Sequence, residues 1–411
     1  MAESRLRIVF LTQTYPRHAG DTSGPFIRDL ARALVRGGDG VTVLAPHARG
    51  VAAGWDDDGV TVRTFRYAPA ALEVIGYSRS LDADETIRPL AGLVTPLYLL
   101  AARRAVARAC RRGDCDLVQA HWVVPNALAA AGATGTAPLA VGLHGSDVFV
   151  AERRGVRRLT AAALARTAVL TGCSPELVER VCALGFPPAR AHVIPYGVDS
   201  RKFAPGAPQR CDWRERLGIP ATATVLLSVG RMATKKGYQV LVPELPGLLA
   251  RHPGLHVVLA GAGDLLPAFR SALAGEARVH FPGAVGHDDL PDLFRAADLF
   301  TLPAVHDSRR NVDGLPNVIL EAMASALPVV ATAVSGIPQA VRPEETGLLV
   351  AEGDGPGLAA ALDRLLAAPE LRQRLGTGGR SLTERELTWD QVAARYRAAY
   401  LEGLAGGVSR A

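Results

Sequence analysis

The feature that most constrains the fold is an alternation that runs along the whole chain. Short apolar runs rich in Val, Leu and Ile alternate with longer stretches of helical periodicity, as in LRIVFL (6–11), FIRDLARALVRGG (26–38) and VTVLAP (41–46). This alternation is typical of β-α-β units, because parallel strands need a long crossover between them. It predicts α/β architecture on parallel sheets. Further strands are predicted at 116–120, 139–143, 168–173, 192–195, 224–230, 256–261, 278–283, 298–303, 328–332 and 347–350.

The chain is long enough for two such sheets. Its 411 residues, 48% of them hydrophobic, exceed the size of one typical domain. The alternation is interrupted by a Pro- and Gly-containing stretch at 205–211, which is the best candidate linker. We therefore predict two Rossmann-like, doubly wound domains facing a central cleft, at residues 1–200 and 201–387. A terminal helix from 388 has enough apolar spacing to pack against a large surface and could return to the first domain.

Composition excludes several classes of protein. The net charge is +6, but the basic residues are nearly all Arg, and no basic run is interleaved with aromatic residues, so no nucleic-acid partner is expected. The five cysteines are odd in number and contain no C-x-x-C pair, which argues against zinc and a disulfide framework and favours a reducing compartment. The N-terminus is typical of a strand rather than a signal peptide, and no run approaches the roughly 18 apolar residues of a membrane span. We expect a cytoplasmic protein.

Two cations follow the first strand after the linker. Arg231 comes directly after that strand, and Lys236 follows in a loop that leads into a helix. Ligands bind at the carboxyl ends of strands in open parallel sheets, where two cations can hold the oxygens of a diphosphate. A solvated loop is the plainer interpretation. Lys occurs only at 202, 235 and 236, so two of the three lysines fall at this edge.

A second element is the stretch DGLPNVILEAMA, which separates Asp313 from Glu321 by eight positions. The spacing predicts a helix that begins after Asp313 and carries Glu321, with an incidental acid as the plainer alternative. The first amides of a helix lack intrahelical partners and form an anion site, so a diphosphate could lie between them and the cations without a metal. The aspartate clusters at 56–58, 82–84 and 287–289 are predicted in turns or helix starts, so no metal site is expected. The turn residues at the helix start are Gly314, Leu315, Pro316 and Asn317.

The N-terminal half places polar residues at strand exits. His144 and Asp147 belong to H-G-S-D after the strand at 139–143, and His121 and Asn126 belong to A-H-W-V-V-P-N after the strand at 116–120. Gly24 precedes the first helix, where backbone amides could approach a phosphate. A lone His in such a place is more often structural, although His144 before a glycine is a fair candidate for the crevice. The absence of G-x-G-x-x-G after the first strand argues against a dinucleotide-dependent oxidoreductase, and neither a G-x-S-x-G elbow nor a P-loop is present.

Together these stretches resemble the retaining glycosyltransferases of family 4, which have the GT-B fold. The likeness runs from Ile8 to about Tyr400, and its strength lies in the order and spacing of several motifs rather than in any one of them. The matching stretches are the loop at Gly24, H-G-S-D, V-I-P-Y-G-V-D (193–199), V-G-R-x-x-x-x-K-G, G-A-G (261–263), the Asp313 and Glu321 pair, and T-G-L-L-V (346–350).

The resemblance implies that the second domain binds a nucleotide-sugar. Arg231 and Lys236 would hold the diphosphate, Glu321 the ribose hydroxyls, and the amides of residues 314–317 the sugar and phosphate. Asp313, where the family usually has Glu, would meet a sugar hydroxyl. No cofactor or metal is implied, because the nucleoside-diphosphate sugar is a substrate; a UDP-sugar is favoured, with GDP-mannose next.

The resemblance also implies that the first domain binds a hydroxyl acceptor and that the final helix, 388–411, returns to it. The acceptor would be a glycan, a lipid-linked sugar or a small molecule. His144 would orient the donor, while His121, Asp147 and Asn126 would lie on the acceptor side; Asn126 stands where Gly is common.

Three alternatives stay open. A nucleotide-sugar 2-epimerase has the same double-domain fold, and a non-catalytic partner subunit would keep the fold without the diphosphate grip. The basic stretch 103–112 is either a solvated helix face or a patch that meets anionic lipid at the cytoplasmic side of the membrane.

Overall fold

The computed structural model describes residues 5–18, 20–21, 23–77, 81–82, 86–87, 89–111, 113–206 and 211–406, with the backbone alone at 81–82 and 86–87. The chain divides into two compact units, one ending at Ile194 and resuming at Trp389, the other running from Pro195 to Thr388. The stretch 205–211, predicted as a linker, lies inside the second unit, and its residues 207–210 fall outside the described residues. The segment before this stretch also belongs to the second unit, and the Val198 amide donates to the Leu387 carbonyl at 2.8 Å.

The first unit is built on a mainly parallel sheet, as the alternating pattern predicts. Its strands in chain order are β1 (Arg7–Leu11), β2 (Gly40–Pro46), β3 (Gly54–Asp57), β4 (Val60–Phe65), β5 (Leu81–Asp82), β6 (Thr86–Ile87), β7 (Leu117–His121), β8 (Leu139–Leu143), β9 (Thr167–Gly172) and β10 (Ala191–Val193). Its helices up to Ile194 are α1 (Pro25–Arg36), α2 (Pro89–Cys110), α3 (Leu128–Ala130), α4 (Ser146–Ala151), α5 (Arg154–Leu164) and α6 (Pro175–Cys182).

Within the described residues the main sheet has the order β10-β9-β8-β7-β1-β2-β4-β3. All its pairs are parallel except β3 with β4, and β5 and β6 form a separate antiparallel pair. Strands β7, β8 and β9 are buried along their whole length, as expected for parallel strands covered on both faces. The strand order reverses between β1 and β7, so the loops after these strands flank a switch point of the kind that binds ligands in open parallel sheets.

The second unit repeats this architecture. Its described sheet has the order β13-β12-β11-β14-β15-β16 with every pair parallel, and the order reverses between β11 and β14. The strands are β11 (Thr224–Val229), β12 (Leu255–Ala260), β13 (Val279–Gly283), β14 (Leu299–Leu302), β15 (Val329–Thr332) and β16 (Gly347–Val350). The helices are α7 (Trp213–Arg216), α8 (Tyr238–Leu241), α9 (Leu245–Arg251), α10 (Leu266–Ala272), α11 (Leu290–Arg295), α12 (Asn317–Ala324), α13 (Ile337–Ala340), α14 (Gly355–Ala367) and α15 (Pro369–Glu386).

The last helix, α16 (Trp389–Ala405), belongs to the first unit. It packs against α1 and β9, with Trp389, Tyr396 and Tyr400 buried. Arg397 pairs with the buried Asp39 at 3.2 Å, and Asp39 also accepts from the Leu6 amide. The helix therefore packs against a domain whose other elements lie far from it in sequence.

Two features differ from the predictions. Asp56 and Asp57 lie on strand β3 rather than in a turn, because they pair with Thr61 and Val60 of β4 in an antiparallel hairpin. The second cluster, 82–84, lies largely outside the described residues. We also expected no segment to approach a membrane span, whereas α2 reaches the required length and apolar composition, which by themselves are weak grounds for a span.

Candidate active site

The second unit gathers most of the predicted site residues at the carboxyl edge of its sheet. Arg231 and Lys236 follow β11, and the segment from Asp313 to Asn317 follows β14, the strand paired with β11. These two loops therefore flank the point where the strand order reverses. This is the location at which an open parallel sheet binds a ligand.

Glycines allow the loop after β11 to pack closely. Gly237 has φ 75°, and a Cβ there would come within 1.5 Å of the Pro303 carbonyl oxygen at the end of β14. Gly261 has φ 150°, and a Cβ there would lie 1.8 Å from the Gly230 carbonyl oxygen. Since both positions leave no room for a side chain, the G-A-G stretch and the K-G pair serve to hold this loop against its neighbours. The stem of Lys236 lies over Gly230, beside the half-buried Arg231.

Asp313 lies between two lysines. Its carboxylate contacts the Lys235 ammonium at 2.8 Å through Oδ1 and the Lys236 ammonium at 2.6 Å through Oδ2. Burial by itself would raise the pKa of Asp313, but the two ammonium groups outweigh it and hold the pKa well below its ordinary value. Asp313 is therefore ionised at any physiological pH, and the three groups together carry one net positive charge.

Helix α12 begins at Asn317, so the predicted helix start is confirmed. Pro316, which precedes this start, makes no side-chain capping hydrogen bond and has no amide hydrogen to offer. The carbonyl of Gly314 accepts from the Gly336 amide at 2.6 Å, which fixes the turn before the helix. The side-chain oxygen of Asn317 is buried without a partner among the described residues. The turn thus presents polar groups that an anionic or hydroxyl-bearing ligand can use.

Glu321 lies on α12 with only 6% of its surface exposed. Its Oε1 is 3.4 Å from His287 Nε2, whereas Oε2 has no partner among the described residues. His287 Nδ1 is in turn 2.9 Å from the ammonium of Lys202. A buried carboxylate oxygen without a partner costs free energy, and a pair of ligand hydroxyls would satisfy it.

The first unit holds a different cluster. The ring nitrogens His121 Nδ1 and His144 Nε2 are 3.0 Å apart, and both rings lie among Phe10, Phe26 and Trp122. Burial lowers the pKa of His121 to about 3. Burial and the neighbouring His121 also put the pKa of His144 well below its ordinary value. Both imidazoles are therefore neutral at physiological pH.

Asp147 organises the loops that carry these histidines. It is almost fully buried on α4, where its carboxylate accepts from the backbone amides of Val123 at 2.9 Å, His144 at 3.2 Å and Gly145 at 3.0 Å. Burial raises the pKa of Asp147 to about 6, although these amides act in the opposite direction. The side chain therefore joins the loops after β7 and β8 and is ionised at neutral pH.

Asn126 is fully buried, and both ends of its amide have partners. Nδ2 donates to the His121 carbonyl at 2.7 Å, and Oδ1 accepts from the Tyr98 hydroxyl at 2.8 Å. Gly24, with φ 69°, precedes the first residue of α1, and a Cβ there would press on Thr14. Asn126 thus supports the backbone at His121, and Gly24 shapes the start of α1.

The predicted catalytic residues are divided between the units: His144 lies in the first, and Arg231, Lys236 and Asp313 lie in the second. Sequence reasoning gave no role to Lys235, Lys202 or His287. The rarity of lysine was the available signal. Lys235 and Lys236 contact Asp313, and Lys202 is connected to Glu321 through His287. Among the described residues, no group of three or more His, Cys, Asp or Glu could hold a metal ion.

Two family models match consecutive parts of the chain. Residues 24–202 match "Glycosyltransferase Family 4", and residues 223–368 match "Glycosyl transferases group 1". Sucrose-phosphate synthase from Thermosynechococcus elongatus has a similar structure, with a TM-score of 0.74 and 20% identity over 98% of this chain and all of that one. The two-domain prediction is confirmed as the GT-B fold, while the cleft between the domains stays a prediction.

Named relatives cover most of the chain. A GDP-mannose-dependent monoacylated alpha-(1-6)-phosphatidylinositol monomannoside mannosyltransferase of Corynebacterium glutamicum is 30% identical over 82% of this chain and 89% of its own length. A GDP-mannose-dependent alpha-(1-6)-phosphatidylinositol monomannoside mannosyltransferase of Mycobacterium tuberculosis is 27% identical over 95% of this chain and 96% of its own. Together with the two family models, these relatives show that the chain belongs to glycosyltransferase family 4 and is an enzyme that transfers a hexosyl group.

Proposed function

We propose that this enzyme transfers mannose from GDP-mannose to a hydroxyl of a mannosylated phosphoinositide lipid. The observation that carries the donor class is the arrangement of Lys235, Lys236 and Asp313 beside the uncapped start of α12 and the half-satisfied carboxylate of Glu321. The nucleotide, the sugar and the acceptor are taken from the names of the two relatives. The UDP-sugar that the sequence favoured stays a prediction and is the competing donor.

In this proposal the charged groups stabilise the departing diphosphate. Negative charge grows on the phosphate oxygens as the bond between them and the anomeric carbon breaks, so fixed cations and amides stabilise the transition state more than the bound donor. Arg231 and Lys236 would hold these oxygens. An ammonium carries three N–H donors, so Lys236 can keep Asp313 and also bind a phosphate.

The two acids would have different roles. Glu321 would accept from the ribose hydroxyls through Oε2, the oxygen that has no partner in the described part of the chain. Asp313 would accept from a sugar hydroxyl while it stays paired with the lysines. Because Asp is one carbon shorter than the usual Glu, its oxygens lie farther from the sugar. The preferred donor sugar should therefore differ from that of enzymes with Glu at this position.

We further propose that the anomeric configuration is retained without a metal or cofactor. The acceptor oxygen would form its bond to the anomeric carbon on the face from which the diphosphate leaves. The acceptor proton would pass to a leaving phosphate oxygen, giving the glycoside and the nucleoside diphosphate. Such a same-face reaction needs no carboxylate nucleophile. His144, which is neutral, would orient the donor by hydrogen bonding rather than act as a cation.

The experiment that tests donor and reaction is a thermal-shift screen followed by a transfer assay. A ligand at 100 times its dissociation constant stabilises a protein by about 2.7 kcal/mol, so GDP, UDP, TDP and ADP can be ranked by melting temperature. GDP should give the largest shift, and mannose from GDP-mannose should appear on phosphatidylinositol monomannoside. A larger shift with UDP would overturn the proposed nucleotide.

The same assay separates transfer from the alternatives. An epimerase would release nucleoside diphosphate and an altered free sugar when no acceptor is present, and a non-catalytic subunit would turn over no donor. The transferase names of both relatives support transfer over these two functions. Detection of an epimerised sugar without acceptor would reverse that preference.

The location proposed for the reaction is the cytoplasm. The five cysteines are odd in number and contain no C-x-x-C pair, which supports a reducing compartment. Fractionation of cells should recover the enzyme from the cytoplasm or from the cytoplasmic face of the membrane. Recovery from an extracytoplasmic fraction would contradict this location.

A further inference from the structure

Helix α2 exposes a stripe of leucines. Leu90, Leu93, Leu97 and Leu100 are 38%, 75%, 48% and 46% exposed. Their spacing of three, four and three residues puts them on one face of the helix over its first three turns. Single exposed leucines are ordinary on a protein surface, but a continuous apolar stripe marks a surface that something else covers.

The same face continues into arginines. Arg104, Arg108 and Arg111 follow Leu100 at spacings of four, four and three residues, and all three are exposed. No Asp or Glu occurs between residues 89 and 113, so the helix carries no acid to neutralise them. An apolar stripe that runs into positive charge with no acid on the same helix matches the two layers of an anionic membrane surface, acyl chains and phosphate head groups.

The opposite face holds the helix in the domain. Ala91, Val94, Tyr98 and Ala102 are buried, and α2 packs against β1, β2 and β4. Its uncharged part lasts fourteen residues, from Pro89 to Ala102, so a span of about 20 residues would have to include Arg103 and Arg104. Crossing a bilayer would expose this sheet and place arginines in the acyl core. The geometry therefore suits a helix that lies in the interface.

We propose that the outer face of α2 from Leu90 to Arg108, together with Arg111 just after the helix, is a docking surface for a bilayer rich in anionic phospholipid. The leucines enter the boundary between head groups and acyl chains, and the arginines contact the phosphates. The inference goes beyond the proposed reaction, because it needs neither the donor nor the acceptor to be the one proposed above.

The surface is connected to the acceptor-side cluster. In a β-α-β unit the helix runs antiparallel to the strands, so the leucine end of α2 lies at the carboxyl edge of the sheet, where His121 ends β7. Tyr98 on the inner face donates to Asn126, which donates to the His121 carbonyl. A bilayer on the outer face would thus meet the domain beside the residues predicted to receive the acceptor.

The test is sedimentation of the full chain with vesicles that contain no donor or acceptor. We expect the wild type to bind vesicles of phosphatidylcholine with phosphatidylglycerol, to bind pure phosphatidylcholine weakly, and to lose affinity as salt is raised toward about 1 M. The double variant Arg104→Gln with Arg108→Gln should bind about thirtyfold more weakly, at roughly one kcal/mol for each arginine. The double variant Leu93→Ser with Leu97→Ser should lose at least about tenfold.

A matched control comes from α5, where Leu159 is 59% exposed beside Arg157 and Arg158 but has no leucine stripe. The variant Leu159→Ser with Arg158→Gln should bind vesicles like the wild type. Circular dichroism melts of every variant check the fold. Equal binding to neutral and anionic vesicles, or unchanged binding by the α2 variants, would overturn the proposal. A dimer that the leucine variant dissociates, without vesicle binding by the wild type, would assign the surface to a second copy and overturn it as well.

Discussion

The clusters at the strand ends of the two units differ in charge. In the first unit the histidine pair is neutral and enclosed by aromatic rings, and the one ionised group, Asp147, is tied to three backbone amides. In the second unit Asp313 is ionised between two lysines, and one oxygen of Glu321 has no partner among the residues that the structure describes. The first cluster therefore fixes loop shape, whereas the second has charge and hydrogen-bonding capacity left for a ligand.

This difference agrees with the demands of the proposed reaction. The acceptor hydroxyl is neutral and gains little from a cation near it, but the leaving diphosphate gains negative charge throughout the step. A fixed protein charge stabilises the transition state most when it lies where the opposite charge develops. Variants of the charged groups in the second unit should therefore change catalysis and donor binding, and variants of His121 in the first unit should change stability and its dependence on pH.

The largest effect is expected from removing a cation. Lys236→Ala, and separately Arg231→Ala, should lower kcat for mannose transfer about a hundredfold, or roughly 3 kcal/mol, because one fixed positive charge no longer meets the leaving diphosphate. Steady-state transfer of radiolabelled mannose measures it. Arg364→Ala, which removes an exposed arginine paired with Glu344, is the control and should leave kcat unchanged. Wild-type turnover by both active-site variants would remove their proposed role.

A smaller loss is expected at Glu321. Glu321→Gln keeps the shape of the side chain but removes the charge from hydrogen bonds to ribose, so nucleoside diphosphate should bind about tenfold to a hundredfold more weakly, at 1.5–3 kcal/mol. Isothermal titration with GDP measures this affinity. His287→Gln, which alters only the neighbour at 3.4 Å, should weaken binding less. If Glu321→Gln binds GDP like the wild type, Glu321 is not a ribose ligand.

Removal of the Asp313 charge should move stability and ligand response in opposite directions. Asp313→Asn leaves two largely buried ammonium groups without their carboxylate, which should cost the ligand-free protein about 1–2 kcal/mol of unfolding free energy. An added diphosphate can replace the lost negative charge. The melting temperature of the variant should therefore rise more with GDP than that of the wild type.

Asp313→Glu is the conservative control for this variant, since it keeps the charge and restores the residue usual in the family. It should have nearly wild-type stability. Thermal melts of the three proteins with and without GDP decide the matter. An equal GDP shift in wild type and Asp313→Asn would mean that the diphosphate does not meet the lysines.

Periodicity predicted the strands closely, because each buried parallel strand is a continuous apolar run; β8 and β16 have the predicted bounds. The hairpin of β3 and β4 was missed, since its aspartates are typical of turns and only pairing with β4 makes Asp56 and Asp57 extended. The Asp313 and Lys236 contact joins loops distant in sequence, so spacing could place both at one edge without giving their partners. Asn126 was expected beside the acceptor and is buried between Tyr98 and His121, because burial depends on the packing of α2.

The smallest effect concerns pH and the first unit. The folded pKa of His121, about 3, lies below its ordinary 6.5, so between these values the unfolded chain binds more protons and stability falls as pH is lowered. Each such histidine contributes up to about 1.4 kcal/mol per pH unit. Asp147 acts in the opposite sense, because its folded pKa is raised to about 6 and its stabilisation is lost as pH rises through that value.

In the variant His121→Gln, the unfolding free energy of the first unit should therefore depend less on pH than in the wild type. Relative to pH 8, the unfolding free energy at pH 5 should fall less in the variant than in the wild type, by about 1–2 kcal/mol. The Trp213→Phe background makes the measurement specific, since Trp55, Trp122 and Trp389 all belong to the first unit and their fluorescence then reports urea unfolding of that unit alone. Parallel pH curves for the two proteins would show that His121 titrates alike in the folded and unfolded chain. In that case the histidine cluster of the first unit would not be neutral, and the contrast in charge with the cluster of the second unit would be lost.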